Sequence, residues 1–397
     1  GAKGKAHAKE MANWSAVMAR YERAIGAIEI NAEPPQFQFG HHKVIHQVLP
    51  NLEFGDAISN HARLIRDTLR EWGFESQIYV RFIDEQVAQE CHAITGKKFE
   101  PSEAILYHHS IGSEVTPIVR AHTGAKALIY HNITPAEFFR PFHPDFADLL
   151  DAGRRELHEL SPAFPLSASI SHYNAQELEA CGFNAPSVLG IAVEPSHWNA
   201  PADASTMQAM QDGRKNILFV GRLSPNKKQD DLIRAFDCLK SFQPDARLII
   251  IGSGDVNDPY VRYVRHLAQE ATFAGDILFP GHISDSELAA YYRTADLFWC
   301  MSEHEGFCVP LLEAMWFDVP ILAYNSSAIP ETLATAGLLF NDKSDLPLLA
   351  GVAYRILNDK SLRKRILAAQ HARRNEFSKD KIRKNLASFI GKLLAAS

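Results

Sequence analysis

Five bulky apolar residues in a row, Leu297 to Met301, stop at a polar loop, and a second apolar run, Val319 to Tyr324, follows within twenty residues. Short unbroken runs of this kind mark strands buried on both faces, and such strands belong to parallel sheets covered by crossover helices. The segment between them has room for one helix. Pro310 is well tolerated in a first helical turn, and Leu311, Leu312, Ala314 and Met315 supply an apolar body. The stretch therefore predicts an α/β fold whose chemistry sits on loops at the carboxyl ends of parallel strands. The loop here carries Glu303, Glu305 and Gly306, and Glu313 lies about a turn into the helix.

Unpaired N–H groups at that helix start favour an anion. Glu305 and Glu313 border the same crevice, and carboxylates repel phosphate but accept hydrogen bonds from hydroxyls. Hydroxyls on either side of an anionic centre describe a nucleotide sugar.

The rest of the chain repeats the strand–loop–helix unit. VIHQVLP (44–50) reads as a strand, followed by a loop with Gly55 and Asp56 and a helix with Ile58, Ala62, Ile65, Leu69 and Trp72 at helical spacing. QIYVRF (77–82) is the next strand. Two more strands end in histidines, at His108–His109 and at His131–Asn132. A helix over 138–160, a strand at 167–171, a helix over 175–180 and a strand at 187–193 complete a first domain. An Ala/Pro/Asp/Ser-rich linker places the boundary near residue 200. The second domain opens with NILFVG and the basic turn RLSPNKK, holding Arg222, Lys227 and Lys228. Further strands precede Gly252 and Gly281–Ile283, and Ser284 with Glu287 forms a capping box. A strand at 337–340 and two helices close the chain.

At 397 residues the chain exceeds one ordinary core, so two domains are expected, 41–200 and 201–397. Residues 1–40 read as an appended helix (Trp14 to Ile28) and linker, the join to a further domain in a longer chain. A net charge of −6 gives no reason to expect nucleic acid. Five scattered cysteines without metal spacing read as reduced thiols of a cytoplasmic protein. Ten Lys or Arg follow Ser361 against Glu376 and Asp380. They form either a solvated face or a peripheral contact for an anionic membrane or a pyrophosphate-linked acceptor.

The pattern Ser-x-x-Glu-Gly-Phe-x-x-Pro-x-x-Glu-Ala-Met from Ser302 resembles the signature of the family-4 retaining glycosyltransferases, which include bacterial mannosyltransferases of glycan assembly. The resemblance implies the GT-B fold, two Rossmann-like domains facing across a cleft. It implies that Glu305 contacts the donor sugar, that the amides of Gly306, Phe307, Cys308 and Val309 hold the diphosphate, and that Glu313 holds the ribose. The turn at Gly281 and Ile283 would pass the base, and Arg222 and Lys227 would meet the phosphates. Gly55 and Asp56 would floor the acceptor side, with His131 and Asn132 lining the cleft. One of His108 and His109, which point to opposite faces of a strand, would approach the transferred sugar. Cys308, Asp318 and Lys228 stand where the family usually has glycine, which raises the question of backbone geometry at each.

The implied reaction moves a hexose, with retention, from GDP-mannose or a UDP-sugar to a hydroxyl of a glycan or lipid-linked glycan. The chain has no Asp-x-Asp, so no metal cofactor is expected, and Arg222, Lys227 and the helix N-terminus would offset the leaving charge. The histidine spacings fit no usual zinc set. A sugar-nucleotide 2-epimerase and a non-catalytic sugar-nucleotide binding domain are the alternatives.

Overall fold

The computed structural model describes residues 43–53, 55–192 and 201–395, with Pro35 and Phe37. The expected helix over Trp14 to Ile28 and the junction just before residue 201 lie outside the described residues.

The first domain runs β1 (Val44–Leu52), α1 (Ala57–Glu71), β2 (Ile78–Ile83), β3 (His92–Ala93), β4 (Glu103–His109), α2 (Thr116–Ala121), β5 (Lys126–Tyr130), α3 (Pro144–Leu160), β6 (Leu166–Ser169), α4 (His172–Ala180) and β7 (Ser187–Val188). Its strands form one seven-stranded parallel sheet in the order β3-β2-β1-β4-β5-β6-β7. The second domain runs α5 (Ala204–Met210), β8 (Lys215–Val220), α6 (Gln229–Lys240), β9 (Ala246–Ile251), α7 (Pro259–Glu270), β10 (Ile277–Gly281), α8 (Asp285–Thr294), β11 (Leu297–Cys300), α9 (Val309–Trp316), β12 (Ile321–Tyr324), α10 (Ile329–Leu333) and β13 (Leu338–Phe340). Helices α11 (Leu346–Asn358), α12 (Lys360–Arg374) and α13 (Lys379–Ala395) follow. The second sheet is parallel, in the order β10-β9-β8-β11-β12-β13.

Both orders reverse direction once, between β1 and β4 in the first sheet and between β8 and β11 in the second. At such a switch point the flanking crossovers leave to opposite faces and open a crevice above the strand ends. The strands that end at these two crevices are buried over most of their length: Ile45, Val48, Leu49, Ile105 and Leu106 in one sheet, Ile217, Leu218, Leu297, Phe298 and Trp299 in the other. That burial is the packing consequence of the apolar runs read from the sequence.

Three expectations are corrected. The strand placed over 187–193 pairs only at Ser187 and Val188, because Gly190 turns left-handed at φ 75° and leads the chain away. The two closing helices are three, since Asp359 accepts the Leu362 N–H and starts a new helix directly after α11. The helix expected from Phe138 begins at Pro144, after a tight turn over Ala136–Phe138. The last helix, α13, packs Leu386, Phe389, Ile390 and Leu393 against Ile45, Ile65, Leu106 and Ile129, so the C-terminus completes the first domain's core.

Candidate active site between the two sheets

The loop from Ser302 to Cys308 leaves β11 at the switch point and is held from several sides. Asn226 donates to His304 O (2.9 Å) and accepts the Glu303 N–H (2.8 Å). Ser327 Oγ accepts the Glu305 N–H at 2.7 Å, and Lys343 reaches Glu303 at 2.8 Å and Met301 O at 2.8 Å. The loop ends at Cys308, which is left-handed (φ 71°) and is the residue before the first turn of α9.

Glu305 is 7 % exposed and pairs with Lys227 at 2.5 Å. Burial works against the Lys227 charge, but Glu305 offsets it and holds the ammonium above its usual value. Two residues chosen from different sequence segments thus meet, one from the turn after β8 and one from the loop after β11. Lys228, the other lysine of that turn, bends to Asp230 (3.3 Å) and Asp231 (3.6 Å) instead. Arg222 is exposed at the end of β8 and, among the described residues, forms no ion pair. Glu313 accepts a hydrogen bond from Tyr292 at 2.6 Å, whose hydroxyl proton is held tightly by burial and by that carboxylate. Gly281 is left-handed (φ 80°) and ends β10, and Ser284 beyond it forms the full capping box with Glu287.

The first domain faces this loop directly. Ser171 Oγ donates to Gly306 O at 2.8 Å, and Asn174 Nδ2 donates to the same oxygen at 3.1 Å. A Cβ on Gly306 would lie 2.8 Å from Asn132 Cβ and 3.0 Å from His131 O, so only glycine permits this approach. Asn132 is itself left-handed (φ 77°) and donates to Asn174 and Glu177, which leaves its oxygen to accept from His304 Nε2 at 2.6 Å. Burial lowers the His304 pKa to about 3, with Arg154 and Lys227 adding to the effect, so the ring is neutral. Farther along, the Glu331 carboxylate accepts the His172 and Tyr173 N–H groups (2.8 and 3.0 Å) that open α4.

Behind Asn132 the first domain's rim is a chain of neutral rings whose protons the geometry orders. Gln47 Nε2 donates to Ala62 O (3.0 Å), so its oxygen accepts from His108 Nε2–H (2.8 Å). His108 Nδ1 is then an acceptor and takes the proton of His131 Nε2 at 2.8 Å. His131 Nδ1 is left as a bare lone pair, buried and without a partner among the described residues. His61 stands edge-on to His131 (5.4 Å between ring centres). Burial pushes His61 down to about 4 and His108 and His131 well below the usual imidazole value. His61, His108 and His131 have ligand atoms within 4.8 Å of one another, a proximity the sequence spacing did not reveal. Both nitrogens of His108 are already engaged, so the trio reads first as a hydrogen-bond chain.

His109 points the other way, with Nδ1 on Tyr107 OH at 3.1 Å. Both His108 and His109 are fully buried. Asp56 accepts the Ser59 N–H at 2.9 Å as the N-cap of α1, and Gly55 precedes it left-handed at φ 73°. Sequence reasoning missed His61, Gln47, Ser171, Asn174, His304 and Tyr292. Ser171 before a helix carried a capping signal; the others lie on apolar faces or inside motifs and carried none.

Residues 205–372 match the family model described as "Glycosyl transferases group 1". The second domain belongs to the group 1 glycosyl transferases. The chain is 32 % identical over 140 residues to a GDP-mannose-dependent alpha-(1-6)-phosphatidylinositol monomannoside mannosyltransferase of Mycobacterium tuberculosis, covering 33 % of this chain and 35 % of that protein. It is 27 % identical over 238 residues to a GDP-mannose-dependent monoacylated alpha-(1-6)-phosphatidylinositol monomannoside mannosyltransferase of Corynebacterium glutamicum, covering 56 % and 61 %. The chain thus spans about a third to three-fifths of the length of these relatives. The whole architecture is similar to that of Anabaena Alr3699/HepE solved with UDP and glucose, with TM-score 0.72 and 15 % identity over 88 % of this chain and 100 % of that one. The fold is GT-B: two parallel α/β domains joined across a cleft.

Proposed function

We propose that the protein is a retaining glycosyltransferase that moves a hexose from a nucleoside-diphosphate sugar to a hydroxyl of a glycan or glycolipid. The reading rests on one arrangement: Lys227 paired with Glu305 beside the start of α9, with Arg222 exposed on the next strand end. A leaving diphosphate develops negative charge, and fixed cations with helix-terminal N–H groups are preorganised to meet it. Glu305 and Glu313 accept hydroxyls on either side, on sugar and ribose. The acceptor proton goes to the departing phosphate oxygen, so no enzymic base is assigned. Glu305 positions the sugar, an orientation effect.

GDP-mannose is favoured as donor by the relatives named for it, and UDP-glucose chemistry by the structural neighbour solved with UDP. Charge supplied by Arg222 and Lys227 makes a divalent metal unnecessary for the step. The acceptor is a growing glycan, soluble or lipid-linked. Peripheral membrane contact through α12 and α13 would have to compete with bonds these cations already make. Arg363 reaches Asp296 O at 2.7 Å, Arg373 reaches Glu331 O at 2.5 Å, and Arg383 pairs with Glu71. Among the described residues no helix is long and apolar enough to cross a membrane.

The test is incubation with radiolabelled GDP-mannose and UDP-glucose, following both donor loss and sugar products. Slow donor hydrolysis that gives the free sugar, and transfer once an acceptor is added, are expected. A released 2-epimer would identify an epimerase, and intact donor under all conditions a binding domain. Either result overturns the proposal.

A further inference from the structure

The loop that carries Glu305 is bracketed by two thiols. Cys300 is the last residue of β11 and Cys308 the residue before α9, and both are buried, 1 % and 6 % exposed. Cys300 donates to Ser302 Oγ at 3.3 Å. The two cysteine sulfurs and a Glu305 carboxylate oxygen all lie within 4.8 Å of one another. Two sulfur ligands and one oxygen ligand around a tetrahedral zinc, at about 2.3 and 2.0–2.2 Å from the metal, sit roughly 3.5–3.8 Å apart. The side chains therefore need to move by only about 1 Å to converge.

We propose that Cys300, Glu305 and Cys308 form a binding site for a thiophilic divalent cation of the zinc class, placed at the foot of the loop. Thiolates select soft and borderline metals over magnesium or calcium. On binding, both thiols release their protons to solvent, two metal–sulfur bonds and one metal–oxygen bond form, and the Lys227–Glu305 contact opens. Water fills the fourth position. The two thiolate charges cancel the added charge of the cation, so the Lys227 and Glu305 charges remain balanced. Occupancy pins the loop and withdraws Glu305, and would therefore block donor use. The binding itself does not depend on the proposed activity.

The experiment uses the full chain with thiols kept reduced by a phosphine. Cobalt(II) titration is read in the near-ultraviolet for a thiolate-to-metal band, and zinc affinity is read by competition with a chromophoric indicator. Wild type should show the band at stoichiometric cobalt, and zinc should displace it. Cys308→Gly suits the left-handed backbone there (φ 71°) and keeps the fold. It should lose the band and bind zinc about a hundredfold more weakly or worse, since even an outer-shell loss costs roughly 10–100-fold. Cys300→Ser should behave alike, and His61→Gln should not. Absence of the band in wild type, or unchanged zinc affinity in both cysteine variants, overturns the site. Where transfer activity is present, zinc should suppress it in wild type far more than in Cys308→Gly.

Discussion

The two rims that meet across the cleft hold their polar groups by opposite means. The second domain's rim is ionic: Lys227 with Glu305, Lys228 with Asp230 and Asp231, Lys343 with Glu303. The first domain's rim is mostly neutral: Gln47, His108 and His131 ordered by shared protons, and Asn132 bridging to His304, with the Arg154–Glu177 pair beside it. A buried charge needs a partner, whereas a buried neutral ring needs only its hydrogen bonds. The ionic rim therefore suits a ligand that carries charge and leaves with it. The neutral rim suits hydroxyl groups, which neutral donors and acceptors can orient without competing for the phosphate.

Acid should separate the two rims most sharply. An unfolded histidine titrates near 6.5, while burial lowers His61 to about 4 and His109 to about 4. Between those values the unfolded chain binds protons that the native rim refuses. The stability from neutral burial is fully present above about pH 6.5 and is lost as pH falls toward 4. By about pH 4 each such ring has cost about 3 kcal/mol of stability, so two approach the whole stability of an ordinary domain. The second domain's loop carries one ring of this kind, His304, against His61 and His109 in the first, so the first domain should open ahead of the second as pH falls from 6.5 to 4. Hydrogen exchange of peptides covering β4 and β8 checks this, and simultaneous loss of protection in both would break the contrast.

The next effect lies on the ionic rim. Arg222→Ala should lower turnover roughly 10²–10³-fold, as removal of one preorganised charge-stabilising group does. Its melting temperature should stay near wild type, because Arg222 is exposed and forms no ion pair among the described residues. Lys227→Ala should lower turnover and also stability, since it leaves Glu305, 7 % exposed, without its cation. Kinetics with calorimetry on both variants checks the split. Equal stability of the two would mean that the Lys227–Glu305 pair holds nothing in place.

Much of the ionic rim was legible in the sequence, because it is written in contiguous segments: an apolar strand, a polar loop, a helix start. The same strand logic gave both sheets, since apolar runs such as Leu297 to Met301 have few other places to go. The neutral rim was only half legible. His108 and His131 mark strand ends, but His61 sits on an apolar helix face and Gln47 inside a strand, where burial rather than pattern decides their role. Which way His108 and His109 face depends on register, which one residue's slip inverts. The close approach at Gly306 joins residues more than 130 apart in sequence, and no local signal carries that.

The smallest effect concerns the residues standing where glycine is usual. Lys228, Cys308 and Asp318 all adopt left-handed backbone, with φ of 55°, 71° and 56°, and all three lie in the ionic domain. Asp318 closes α9: the Val319 N–H reaches Ala314 O and the Asp318 N–H reaches Met315 O, the pairing of a Schellman cap that glycine fills most easily. A side chain there costs about 1 kcal/mol in backbone strain, somewhat less for aspartate. Against that, Asp318 gains a contact to His371 at 2.6 Å and to Arg374 at 3.4 Å, but its carboxylate is half exposed and such pairs contribute about 0–1 kcal/mol. Strain and ion pair nearly cancel, and the strain is slightly larger. Asp318→Gly should therefore raise stability by about 0.5 kcal/mol at low salt. The gain should grow with added salt as the ion pairs are screened. Calorimetry across a salt series checks both the sign and the trend. A loss of stability that deepens with salt would mean that the aspartate is held there by something other than its charge.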